Sequence, residues 1–268
     1  MPDLRVRPHA PDASGQVLAV TPQSAGWDHV GFAVHELADG QTADGGRPDR
    51  EACLVVLAGA ADIRAGDERY DAVGGRTSVF EDRAPAAVYV PAGAPWSVTA
   101  RGRVELAVCS APGTGTGAPR LIDPARMSRE VRGEGTNTRY VRNILPETEA
   151  AESLLVVEVI TPGGHWSSYP PHKHDTATAA EETQLEETYY HRLAPPQGFA
   201  IQRVYTDDRS LDETISVEDG DVVMVPRGYH PVGAPHGYDL YYLNVMAGPK
   251  RQWIFRNDPA HDWIAKKA

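Results

Sequence analysis

Runs rich in Val, Ile, Leu and Tyr recur along the chain, separated by glycines and prolines. Their lengths suit β-strands, and turn residues fall between them every 8–12 residues or so, the punctuation of an all-β protein. In the first half the pattern predicts strands at Ala52–Leu57, Ala61–Ala65, Ser78–Phe80, Ala87–Val90 and Val104–Ser110. In the second half it predicts Leu154–Ile160, Glu187–Arg192, Phe199–Tyr205, Thr214–Val217, Asp221–Val225 and Tyr238–Met246. No segment carries a sustained helical period of apolar residues. Short helices are expected only at Asp123–Met127 and Ala260–Lys267.

The stretch Ala111–Pro119, with alternating Gly and Thr, reads as a linker between two strand-rich halves. It sets the expected domains at 1–118 and 119–268, with Ser128–Thr138 as a surface excursion. The halves share a phrase. Val222-Val223-Met224-Val225-Pro226-Arg227-Gly228-Tyr229-His230 reads as buried strand, then a Pro-x-Gly turn delivering a ring. Ala87-Val88-Tyr89-Val90-Pro91-Ala92-Gly93-Ala94-Pro95-Trp96 repeats it, with Trp96 near the place of His230. That suggests an internal duplication in which only the second copy kept polar chemistry.

With 268 residues and 41% hydrophobic content, there is material for a packed core. No apolar run approaches the roughly 20 residues of a membrane span. Met1-Pro2-Asp3-Leu4-Arg5 lacks the apolar stretch of a signal peptide, so a cytoplasmic location is expected. A formal net charge of −11 repels a phosphate backbone and argues against nucleic acid as a partner. It does not exclude an anionic substrate, because a pocket can be locally positive. The two cysteines, Cys53 and Cys109, sit in apolar strand-like stretches and read as reduced core residues.

Six of the ten histidines lie between His165 and His236. In extended Tyr169-Pro170-Pro171-His172-Lys173-His174-Asp175, alternate side chains share a face, so His172 and His174 project together and Lys173 points away. Two imidazoles so presented form half of a metal site if their face lines a cavity. In Leu185-Glu186-Glu187-Thr188-Tyr189-Tyr190-His191 the alternation groups Glu187, Tyr189 and His191; a register one residue off would substitute Glu186. His230 follows its turn on a strand apolar enough to be central. Three imidazoles and a carboxylate suit Zn, Mn, Fe, Ni or Co, and ligand type does not choose among them.

His-x-His, a later strand Glu, and a final His after Gly-x5-Pro-x-Gly is the metal-site pattern that resembles the cupin superfamily. Two departures stand out: Glu187 follows His174 by thirteen positions rather than a few, and His230 comes one residue sooner after Gly228 than is usual. The longer phrases Trp166–Asp175, Leu185–Arg192, Val225–Pro231 and Tyr238–Gly248 resemble the 5-deoxyglucuronate isomerases of bacterial myo-inositol catabolism. So do Glu51–Leu57 and Glu105–Pro112, and the likeness covers nearly the whole chain.

The resemblance implies an all-β, two-cupin sandwich or barrel, with a degenerate N-terminal cupin lacking a metal site and a C-terminal one carrying it. It implies an aldose–ketose isomerase acting on a small sugar acid, with a divalent metal held by His172, His174, Glu187 and His230. Tyr189, His191 and Tyr241 are the candidate acid–base residues, although a metal-assisted hydride shift needs no base. Arg142, Arg192 and Arg227 are the guanidinium candidates nearest the motifs for the substrate carboxylate. The competing readings are an isomerase of the deoxy keto-uronate from pectin breakdown, an iron-dependent cupin dioxygenase, and a non-catalytic sugar-acid-binding cupin. Closed β architectures often assemble through edge strands, so a homo-oligomer is compatible with the sequence, which carries no interface signal.

Overall fold

The computed structural model describes residues 3–178 and 180–267. Antiparallel strands dominate, and the one α-helix among the described residues, Pro22–Ala25, is a single turn capped by the Thr21 side chain. The expected short helices are present as 3-10 turns at Pro124–Arg126 and Asp262–Lys267. No helix among the described residues is long and apolar enough to cross a membrane.

The chain divides into two compact units that interleave in sequence. One comprises 1–7, 129–142 and 157–268; the other comprises 8–128 and 143–156. The crossings therefore do not fall at the expected 118/119 boundary. The chain crosses at Arg7/Pro8 and at Ser128/Arg129, then twice more inside the strands Arg139–Leu145 and Leu155–Thr161. The expected linker is part of the second unit. Strand Trp96–Pro112 runs into it, and the Glu152 carboxylate accepts hydrogen bonds from the amides of Thr114, Gly115 and Thr116. A carboxylate that collects backbone donors fixes a segment whose composition alone reads as flexible.

In that second unit the sheet runs in the order Gln16–Val20, Gly31–Leu37, Trp96–Pro112, Arg50–Ala65, Ala86–Val90, Arg120–Ile122. Thr42–Gly45 and Glu68–Arg76 also pair with its two long strands. The expected strands Ala52–Leu57 and Ala61–Ala65 are one continuous strand, because Ala58-Gly59-Ala60 forms a bulge in its pairing with Trp96–Pro112. Gly59 has φ 87°, and a Cβ there would lie 2.2 Å from the Arg103 carbonyl oxygen, so only glycine fits. Ser78–Phe80 is a turn, not a strand. The Ser78 hydroxyl accepts from the Phe80 amide and the Glu81 carboxylate from the Thr77 amide, which satisfies the backbone locally in place of a ladder. Trp96 is buried in this unit's core with Leu54, Val88 and Leu106.

The first unit holds a seven-stranded sheet and a four-stranded sheet. The larger is ordered Arg5–Val6, Val222–Val225, Glu186–Ala194, Asp239–Ala247, Leu155–Thr161, Arg139–Leu145, Arg129–Arg132. The smaller is ordered Trp166–Ser167, Val232–Gly233, Ala200–Tyr205, Asp212–Val217. Val141, Val157, Leu193 and Val223 from one sheet share a core with Val204, Val217 and Val232 from the other, the face-to-face packing of a sandwich. Part of the expected excursion Ser128–Thr138 is the edge strand Arg129–Arg132 of the larger sheet.

Residues directly opposite in an antiparallel pair lie on the same face. Glu187 faces Met246, Tyr189 faces Asn244 and His191 faces Tyr242, while Thr188, Tyr190 and Arg192 face Val245, Leu243 and Tyr241. That register sorts every candidate on these two strands onto one face or the other.

Candidate metal centre and its cavity

Three elements bring the candidate ligands together. Strand Glu186–Ala194 presents Glu187. The two-residue strand His172–Lys173, paired with Arg256–Asn257, starts the segment that delivers His174. The turn after Val222–Val225 delivers His230, and its Gly228 has φ 92° with its Cα packed against the Tyr205 carbonyl, where a Cβ would meet the oxygen at 2.4 Å. The Glu187 Oε2 oxygen lies 3.1 Å from His174 Nε2 and 3.2 Å from His230 Nε2. All three ligand atoms lie within 4.8 Å of one another, and all three residues are buried. The His172 ring adjoins this trio, its centroid 5.0 Å from that of His230, the same separation as between His174 and His230, and 6.4 Å from that of His174. Lys173 points elsewhere, its Nζ 2.7 Å from Asp175 and 3.1 Å from Asp207.

The donor set fits a metal ion. His230 Nδ1 donates to the Gly228 carbonyl at 2.8 Å and His174 Nδ1 to the Leu185 carbonyl at 3.3 Å. Both rings are thereby held as the tautomer whose Nε2 lone pair faces Glu187. His230 Nε2 is buried and makes no hydrogen bond. Lone pairs converging on a carboxylate repel unless a cation sits among them. For His174 burial works against the charged form, yet the contact with Glu187 outweighs it and the pKa is raised. Burial pushes His230 down to about 4, and burial with the neighbouring His230 and His174 takes His172 well below its ordinary value. A proton serves one of these pairs; a divalent cation serves the whole set.

A cavity of about 410 Å³ opens beside the cluster. His172, Tyr189, Ser168, Tyr242 and Asn244 form its polar wall, Val141, Val157, Val159, Trp253 and Phe255 its apolar wall, and Arg132 and Arg139 contribute cations. Ser168 Oγ and the Tyr189 hydroxyl lie 2.8 Å apart, and the Tyr242 hydroxyl bonds Ser167. Burial, then the Glu187 charge, raises Tyr189 well above its ordinary pKa, and burial raises Tyr242. Both phenols are therefore hydrogen-bond donors at neutral pH.

The sequence pattern of the KduI/IolB family matches residues 4–264. A protein of Geobacillus kaustophilus (strain HTA426) named 5-deoxy-glucuronate isomerase is 56% identical over 264 residues, which is 98% of this chain and 96% of that one. The chain belongs to the KduI/IolB family. The crystal structure of an IolB-like protein from Salmonella typhimurium LT2 superposes with a TM-score of 0.96 at 51% identity, covering 98% of this chain and 100% of that one. Oxalate decarboxylase of Lactobacillus farciminis, at 14% identity, shares the fold with a TM-score of 0.67 over 99% of this chain and 91% of its own. The fold is all-β and of the cupin type.

Within this KduI/IolB chain the candidates separate by sheet face. Glu187, Tyr189 and His191 share the face that the sequence alternation gave them, and Glu186 lies on the other. Tyr189 lines the cavity. His191 lies one step deeper, with Nε2 3.0 Å from Gln202 Oε1, and is no part of the cavity wall. Tyr241 is on the opposite face. Its hydroxyl donates to Glu158 at 3.1 Å, and Arg142 Nη1 reaches the same carboxylate at 3.3 Å. Arg192 pairs with Asp219 at 2.9 Å, and Arg227 is exposed at the turn before His230. None of these three arginines lines the cavity. The cavity wall instead carries Tyr242, next to Tyr241, and Arg139, three residues before Arg142, which the sequence reading missed. Asp239–Ala247 is buried on both faces beyond its first residue, so no polar–apolar alternation marks which tyrosine faces in. Arg139 opens a strand that the hydrophobic pattern did not reveal.

Proposed function

We propose that this chain is an aldose–ketose isomerase that converts 5-deoxyglucuronate to 5-dehydro-2-deoxygluconate, a step of myo-inositol catabolism. The observation that carries the reading is a buried His/Glu cluster beside a small-molecule cavity whose wall includes His172, in a chain 56% identical to a relative named for this activity. The cavity volume suits a six-carbon acid.

His172, His174, Glu187 and His230 are the proposed ligands. A bound divalent metal supplies a Lewis acid that polarises the carbonyl and steadies negative charge on oxygen. The rest falls to the chain. Isomerisation removes a proton from C2 and places one on C1, while the C2 hydroxyl becomes the carbonyl and the aldehyde oxygen a hydroxyl. Tyr189 and Tyr242, kept protonated by burial, can donate hydrogen bonds to the oxygens as charge develops there. Their bonds to Ser168 and Ser167 fix the direction of both hydroxyls. Val141, Val157 and Val159 exclude bulk water from the reacting carbons.

Proton NMR of metal-loaded protein incubated anaerobically with 5-deoxyglucuronate tests the proposal. Loss of the aldehyde and hydrate signals with growth of the keto acid, abolished in His172→Ala, is the expected result. Activity removed by a chelator should return when a divalent metal is added back. Folded, metal-loaded protein that turns over nothing would sink the isomerase, and oxygen uptake would replace it with a dioxygenase.

A further inference from the structure

Arg139 is a guanidinium in the wall of the cavity with no carboxylate partner among the described residues. Its Nη1 donates to two backbone carbonyls, Asn137 at 3.1 Å and Tyr169 at 3.4 Å. These bonds hold the planar group still, and its Nε and Nη2 make no hydrogen bond to any described residue. Every other arginine discussed above has an anion or the solvent: Arg142 has Glu158, Arg192 has Asp219, Arg132 has Glu130 and Arg227 is exposed. Desolvation disfavours the Arg139 charge, the first cause of a lowered pKa. A half-buried cation held by neutral carbonyls in a largely apolar chamber is incomplete until an anion enters.

We infer that Arg139 is the specificity-determining residue of the cavity, its Nε/Nη2 edge taking the carboxylate of a sugar acid. This rests on the isomerase reading for the identity of the acid, though not for the presence of an anion site. The Nε–H and Nη2–H donors of a guanidinium are parallel and match the two oxygens of a carboxylate. The carboxylate does not change during an aldose–ketose isomerisation, so one anchor serves substrate and product alike. Anchoring that end leaves the carbonyl end to His172, which lines the same cavity, and the cluster behind it. Arg132, stacked 5.4 Å from the Trp253 ring and already paired with Glu130, adds positive potential without competing for the ligand.

The test compares 5-deoxyglucuronate with 5-deoxyglucose, which differs only in carrying a hydroxymethyl group in place of the carboxylate. Binding to the metal-loaded protein is read by titration calorimetry, which reports the anchor whether or not turnover follows. The native protein should bind the acid about 100-fold more tightly than the neutral sugar. Arg139→Met should abolish that preference by weakening the acid alone, and Arg139→Lys, which keeps the charge and loses the fork, should fall between. Should Arg139→Met disturb folding, Arg139→Lys carries the comparison. Equal weakening of both sugars by either variant, or a native protein that binds the two alike, overturns the inference. Acid-selective binding that depends on Arg139 but is followed by no turnover would leave the anchor standing and remove the isomerase.

Discussion

The Asp175 carboxylate accepts a hydrogen bond from the Gly228 amide at 2.8 Å, joining the segment that carries His174 to the turn that carries His230. Its other oxygen receives Lys173 Nζ at 2.7 Å and the Thr176 hydroxyl at 2.9 Å. Two candidate ligands that are distant in sequence are thus referenced to one side chain, next in sequence to His174.

Asp175→Ala should therefore weaken the metal site more than the fold. Residues that orient ligands typically cost 10–100-fold in metal affinity when removed. A loss of about 10-fold, read by competition against a chromophoric chelator, is the expected outcome, with near-unchanged circular dichroism. Unaltered metal affinity would show that the turn holds His230 in place without this link.

The two neighbouring tyrosines of strand Asp239–Ala247 should separate stability from activity. Tyr241 donates to the buried Glu158, so Tyr241→Phe leaves a carboxylate oxygen short of a donor and should lower unfolding free energy by about 1–3 kcal/mol. Its kcat/KM should stay within about twofold of the native value. Tyr242→Phe removes a hydroxyl from the cavity wall and should reduce kcat/KM about 10-fold or more, at little expense of stability. Urea unfolding and steady-state kinetics on both variants check the assignment, and the reverse pattern would place Tyr241 at the reaction.

How far the sequence reaches follows from where alternation is visible. In Glu186–Ala194 the alternation separates the adjacent glutamates, because Glu187 and Tyr189 continue one face, where Glu187 is 1% exposed. His174 and His230 also meet Glu187 as the motif spacing implies. In Asp239–Ala247 burial on both faces erases the alternation, and the face is set by pairing with Glu186–Ala194, a relation between distant segments that no local pattern contains. Arg139 is hidden for a related reason. Its importance comes from having no carboxylate beside it, which only the assembled cavity reveals. The supposed linker fails differently, since its order comes from Glu152, far along the chain.

Glu51 should be one of the most sensitive positions outside the site. It is 0% exposed, and its carboxylate accepts the amides of Glu152, Ser153 and Leu154 at 2.8, 2.6 and 2.6 Å and the Tyr89 hydroxyl at 2.6 Å. Glu51→Ala would strand buried or half-buried donors, each of which costs about 1–3 kcal/mol when left unmade. A loss of about 4 kcal/mol or more, or failure to accumulate as folded protein, is expected from urea unfolding and expression yield. A loss under about 1 kcal/mol would mean that water replaces the carboxylate.

His191 sets a pH dependence whose sign is fixed by its burial. Burial pushes its imidazole down to about 4, with the Gln202 bond opposing, whereas an unfolded histidine titrates near 6.5. Between those values the unfolded chain binds a proton that the native state does not, so unfolding free energy rises with pH there. This contribution is complete above pH 6.5 and is lost as pH falls toward 4. From pH 8 to pH 5 the loss amounts to about 2 kcal/mol for one such group. In His191→Asn that proton is no longer available to the unfolded state, so the variant's stability should fall less on acidification than the native protein's. Urea unfolding of both proteins at pH 8 and pH 5 measures the difference directly. Parallel pH profiles would mean that His191 takes up its proton in the folded state, and its place beneath the cavity wall would then have to be solvated.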